Sequence, residues 1–185
     1  MPAGTERLFF AVRPDARTAQ RLEALAQALR HHHGLRGKSL GAERFHVTLH
    51  LIGDFAGGVP QELALRALDA ARPVSMSTLP FVAGFDAVAS FTRKRRNMPL
   101  VLLGEDGVQG LIGLQQLLLP ALAAAGLAGR PEPTFTPHLT LLYDDMPLPR
   151  QSIEPLIWRV DEMMLVRSLL GRGRHEVLAR LPLGV

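Results

Sequence analysis

Hydrophobic and polar positions alternate along two short stretches of the chain, and the same order of residue types recurs in both. Phe45-His46-Val47-Thr48-Leu49-His50-Leu51-Ile52 reads as a strand closed by Gly53-Asp54, and Phe135 to Tyr143 reads as another. Strand side chains point alternately to opposite faces. That rule puts His46, Thr48 and His50 on one face and Val47, Leu49 and Leu51 on the other, which is apolar and suited to a core. In the second stretch His138 and Thr140 share a face opposite Leu139 and Leu141. Strict alternation sends Tyr143 away from His138 unless the strand bulges there.

The rest of the pattern predicts a mixed chain. Leu8 to Val12 reads as a first strand. Pro14-Asp15 opens a helix with Asp15 as cap, Leu22, Leu25, Ala26 and Leu29 recur at helical spacing, and Gly34 ends it. Pro60 starts a second helix with Leu63, Ala67, Leu68 and Ala71 along one side. Phe81 to Phe91 and Leu100 to Leu103 read as strands joined across Arg93-Lys94-Arg95-Arg96-Asn97. Gly107 to Gly126 reads as a third helix, kinked or broken near Pro120. Trp158 to Leu169 and Glu176 to Leu181 read as a closing antiparallel pair. The segments Arg130-Pro131-Glu132-Pro133 and Met146-Pro147-Leu148-Pro149 bracket the second stretch as rigid loops. Several adjacent strands with long connections predict an α+β fold with antiparallel sheets. The two His-Thr stretches lie half the chain length apart, so a single unit spanning residues 1–185 and made of two lobes, one motif in each, is expected.

Composition narrows the function classes. The 185 residues are 47% hydrophobic, enough for a sizeable core. There is no cysteine, which excludes disulfides, thiol chemistry and cysteine-bound zinc. The first residues lack the pattern of a secretory signal. The most apolar run, Leu111 to Leu127, is interrupted by Gln115, Gln116 and Pro120 and falls short of the roughly 20 apolar residues of a membrane helix. A cytoplasmic protein without a membrane association or an obligate protein partner is expected. The net charge of +4 is carried almost wholly by arginine, since Lys38 and Lys94 are the only lysines. Arginine suits phosphate because its planar fork donates two parallel hydrogen bonds. The excess permits an anionic substrate without demanding one.

The paired motif has a chemical reason. In-line displacement at phosphorus puts nucleophile and leaving group on opposite sides. One group must take a proton and another, across the site, must give one. Two imidazoles, with an ordinary pKa of about 6.5, do this near neutral pH. A Thr hydroxyl pointing the same way as each His can donate to a non-bridging phosphate oxygen and stabilise charge without a metal.

On these residues the chain resembles the 2H phosphoesterase superfamily and, within it, the RNA 2',3'-cyclic phosphodiesterases, also called 2'-5' RNA ligases. Arg7-Leu8-Phe9-Phe10-Ala11 is similar to the family's opening strand. Glu43 to Asp54 is similar to its first motif, Phe135 to Leu141 to its second, and Leu165-Val166-Arg167-Ser168 with Glu176-Val177-Leu178 and Pro182-Leu183 to its closing strands. The resemblance implies two related antiparallel-sheet lobes with helices packed outside and an active-site cleft between them. It implies hydrolysis of RNA or nucleotide 2',3'-cyclic phosphates to 2'-phosphomonoesters, with no metal and no cofactor. By the same similarity His46 is the proton donor, His138 the proton acceptor, and Thr48 and Thr140 bind the substrate phosphate. Ligation of 2'-5' linkages, another cyclic phosphate, or a non-catalytic RNA-end-binding module are the alternatives. Relatives often carry Arg or Lys shortly after the second motif, where this chain has Leu142-Tyr143-Asp144. Tyr143 and His50 are therefore candidates for the margin of the site.

Other clusters have plainer readings. Arg93-Lys94-Arg95-Arg96 reads as a solvated hairpin tip, with contact to an RNA backbone as its functional alternative. His31-His32-His33 sits at a predicted helix end, where cations are favoured and consecutive side chains diverge, which disfavours a metal site. Phe9, Phe10 and Phe45 are candidates to stack a base but are better placed in the core. Gly104, Gly107, Gly110 and Gly113 are not followed by the Lys-Ser/Thr of a phosphate loop.

Overall fold

The computed structural model describes residues 4–127 and 134–185. The proposed loop over Arg130 to Pro133 lies outside them.

Among the described residues, eight strands and three α-helices form in the order β1 (Thr5–Val12), α1 (Ala16–His33), β2 (Val47–Ala56), α2 (Gln61–Ser77), β3 (Phe81–Ser90), β4 (Met98–Leu103), α3 (Gln109–Ala124), β5 (Leu139–Asp144), β6 (Gln151–Val160), β7 (Glu162–Leu169) and β8 (Arg174–Pro182). Local chemistry explains the helix boundaries. Asp15 caps α1 by accepting from the Thr18 backbone N–H at 2.8 Å, and Gly34 closes it at a left-handed φ of 66°. In α3, Pro120 neither ends nor splits the helix. Leu111, Leu114, Leu118 and Leu122 are all buried along one side of it. Their burial outweighs the one hydrogen bond that proline cannot make, and the deprived turn at Gln116 is exposed to solvent. The segment Asp106–Ala124 is long and apolar enough to cross a membrane by length and composition; here its buried leucines belong to the main core.

All strands join one antiparallel sheet in the order β6-β3-β4-β5-β2-β1-β7-β8. It divides into two four-stranded halves, β6-β3-β4-β5 and β2-β1-β7-β8, which meet where Val47 pairs with Leu139. The middle of the chain builds the first half and its two ends build the second. The long closing strand expected from Trp158 to Leu169 is two strands in different halves: Trp158 lies in β6 beside β3, and the chain crosses to β7 at Asp161.

One face of the sheet carries the helices. α1 packs over β5 and β6, α2 over β7 and β8, and α3 against β2 and β3. Leu8, Phe10, Val12, Phe45, Val47, Leu49, Leu139 and Leu141 point into that single core. Among the described residues, no helix packs on the opposite face. It carries two small apolar floors, Phe9-Ala11-Met164-Val166 in one half and Ala87-Val101-Leu103 in the other.

Candidate active site

Because Val47 and Leu139 both point into the helix-covered core, their neighbours point the other way. His46, Thr48, His138 and Thr140 thus lie half-buried on the open face, on either side of the seam between the half-sheets. The seam is antiparallel, so the two motifs run past each other in opposite directions.

Both histidines are held in the same way. Nδ1 of His46 lies 2.7 Å from the Arg44 carbonyl oxygen, and Nδ1 of His138 lies 2.7 Å from that of Thr136. A carbonyl only accepts, so each Nδ1 carries a proton and donates it, and each Nε2 is left for chemistry. Each ring also rests on a phenylalanine. Phe9 lies 5.1 Å from His46 and Phe91 lies 5.0 Å from His138, between ring centroids. Phe10 and Phe45, by contrast, are fully buried in the main core.

A bulge follows each motif directly. Ala11 faces Thr48 and Phe10 faces His50, so Leu49 is an extra residue on β2. Val101 faces Thr140 and Leu100 faces Leu142, so Leu141 is the extra residue on β5. Each bulge turns two consecutive side chains toward the helices. This corrects the expected place of His50: it does not share a face with His46 but is 9% exposed, with Nε2 3.4 Å from the Leu127 carbonyl oxygen. The counterpart bulge has the opposite effect on Tyr143. Leu141 and Leu142 both enter the core, and Tyr143 comes out on the face of His138, 41% exposed. It lies near the guanidinium of Arg7, which Asp54 grips through two hydrogen bonds of 2.7 and 2.8 Å.

Sequence reasoning missed a third histidine. His175 on β8 meets His46 edge-on at 5.1 Å and Phe9 at 5.8 Å. Its signal was present, since it alternates in step with Val177, which packs on the same floor as Phe9. The closing strand, read from Glu176, began too late to include it. Burial, His46, and the charges of Arg44 and Arg13 push the His175 imidazole down to about 4. His46 is also lowered from the ordinary imidazole value, chiefly by burial. Its hydrogen bond to the Arg44 carbonyl opposes that shift, and the charges of Arg13, Arg44 and His138 add to it.

The remaining candidates lie outside this constellation. Residues 92–97 form an exposed turn between β3 and β4, directly after the Phe91 that supports His138. His33 at the end of α1 contacts Gln151 at 3.1 Å, and His32 packs edge-on against it at 4.6 Å. Among the described residues, no three of His, Cys, Asp or Glu gather as a metal-ligand set.

The sequence model of the 2'-5' RNA ligase superfamily matches residues 55–172, a span that includes the second motif and begins after the first. No curated protein matches the chain. Solved structures with the same fold include Escherichia coli LigT in apo form, at 24% identity and a TM-score of 0.77, covering 99% of this chain and 100% of that one. LigT complexed with 3'-AMP aligns at 25% identity and a TM-score of 0.76, covering 98% and 99%. A protein of Thermus thermophilus aligns at 24% identity and 0.76, covering 96% and 98%.

Proposed function

The chain belongs to the 2'-5' RNA ligase superfamily, the 2H phosphoesterases, and we propose that it hydrolyses 2',3'-cyclic phosphate ends of RNA to 2'-phosphomonoesters. The observation that carries this reading is the matched pair of imidazoles flanking the Val47–Leu139 seam, each with Nδ1 protonated and Nε2 unengaged among the described residues. A cyclic phosphate seated between them has one base and one acid on opposite sides. His138 Nε2 takes a proton from water as the water oxygen bonds to phosphorus. The bond from phosphorus to the ribose 3' oxygen breaks, and His46 Nε2 gives that oxygen its proton. Thr48 and Thr140 donate to the non-bridging oxygens as charge builds on them. The reaction consumes one water and needs no metal or cofactor.

His46 must be charged to act as donor, yet in the free protein burial and nearby cations oppose its charge. The anionic phosphodiester reverses that balance. Opposite charge at close range favours imidazolium, so substrate binding itself arms the acid. The structure of LigT with 3'-AMP is that of a relative of this fold with a nucleotide, which supports a nucleotide-sized ligand for this chain. The test is a product assay on an oligonucleotide ending in a 2',3'-cyclic phosphate, with EDTA present. Ring opening to a 2'-phosphate is expected; recovery of the cyclic end unchanged, or of a 3'-phosphate, sinks the reading.

A further inference from the structure

The two halves of the site share a backbone carbonyl at Nδ1 and a phenylalanine beside each histidine ring, and differ in what else surrounds it. On the His138 side, the carbonyl that holds Nδ1 belongs to Thr136, a small neutral residue. On the His46 side it belongs to Arg44. The carbonyl does the orienting in both cases, so the arginine side chain is free of that task. It reaches across the open face toward the turn before His175, where Nη1 would lie 3.6 Å from a Cβ placed on Gly173. Its Nε is buried without a hydrogen-bond partner among the described residues, so no protein acceptor fixes the guanidinium in place from that side. No carboxylate forms an ion pair with Arg44 or with the adjacent Arg13 among the described residues. Arg13 instead donates to the Glu43 carbonyl, while Glu43 and Glu162 offset its charge only at longer range. Both guanidinium groups lie close enough to lower His46 and His175 together.

We propose that Arg44, backed by Arg13, forms a second phosphate subsite beside His46, for the phosphate on the 5' oxygen of the terminal nucleotide. The inference rests on the function proposed above. Arg44 and His46 are separated by one extended residue, Phe45, a span of roughly 7 Å at most, and successive phosphates of a nucleotide chain are separated by a similar length. A planar guanidinium whose terminal nitrogens face the turn at Gly173 offers the paired donors that a phosphate accepts best. The cleft would then hold an RNA end in one polarity, with the cyclic phosphate between the histidines and the preceding phosphate on the side of β8.

The test compares adenosine 2'-monophosphate with adenosine 2',5'-bisphosphate by calorimetry on the full chain. The bisphosphate is expected to bind on the order of tenfold tighter. Arg44→Gln should abolish that difference, Arg44→Lys should keep part of it, and Arg21→Gln, which removes the same charge from the exposed surface of α1, should keep all of it. A parallel KM comparison of 2',3'-cyclic AMP with and without a 5'-phosphate, or with a preceding adenosine, separates a free 5'-phosphate from an internucleotide one. Equal affinities in the unsubstituted protein, or a preference that survives in Arg44→Gln, would overturn the subsite. If the cyclic substrates stay intact while the bisphosphate preference follows Arg44, the reaction is wrong and the subsite stands. If neither nucleotide binds, both fall.

Discussion

Val47 lies directly across from Leu139 where the two half-sheets meet. These are the middle residues of the two His-x-Thr motifs, and both are fully buried. One cross-strand pair therefore sets the relative position of four functional side chains. Leu139→Ala should cost about 2–5 kcal/mol of stability, as buried Leu truncations do. It should also lower kcat at temperatures where the protein stays folded, because the histidines lose their common reference. Denaturant melts alongside kinetics check this; a destabilised variant with unchanged kcat would show that the seam does not position the site.

The histidines themselves carry the chemistry. His46→Ala and His138→Ala are each expected to reduce kcat by roughly 10²- to 10⁴-fold, the usual worth of a general acid or base, with circular dichroism unchanged. Turnover at the parental rate in both variants would remove the two-imidazole mechanism.

The pH profile distinguishes their roles. kcat/KM reports the free protein, where His46 is lowered below the ordinary imidazole value. If His46 is the donor, activity on kcat/KM declines with rising pH already below about 6.5. In kcat, which reports the complex, that limb should move to higher pH as the substrate phosphate stabilises imidazolium. An alkaline limb identical in both parameters would point to another acid.

Stability should track His175. Its folded value of about 4 lies below the unfolded imidazole, so the unfolded chain binds more protons across the window from about 6.5 down to about 4. Stability from this group is complete above that window and is lost as pH falls through it. Thermal melts from about pH 7 to about pH 4 should show a steeper decline than in His175→Asn. Parallel declines would mean that the half-buried His175 imidazole is not the titrating group.

His50 separates the two readings of its face. Leu142 fills the counterpart position on β5 and is fully buried. His50→Leu should therefore keep kcat/KM within about twofold while costing roughly 1 kcal/mol for its carbonyl contact. A large loss of activity with the melt unchanged would return His50 to the site.

Much of this was legible along the chain. Alternation identified His46, Thr48, His138 and Thr140 as sharing faces because parity is a property of the strand itself. The cap at Asp15 and the stop at Gly34 were equally readable, since each depends on residues within one turn. What depended on pairing was not. A bulge exists only relative to a neighbouring strand, so the inward turn of His50 and the outward turn of Tyr143 were decided by β1 and β4. His175 reaches His46 because β8 folds back beside β7, which itself pairs with β1, joining the two ends of the chain in one half-sheet. The sequence by itself determined which residues are equipped for the chemistry and which way each motif strand presents them. Only the tertiary structure decided which of them meet, because register between distant segments is set by packing that no local pattern encodes.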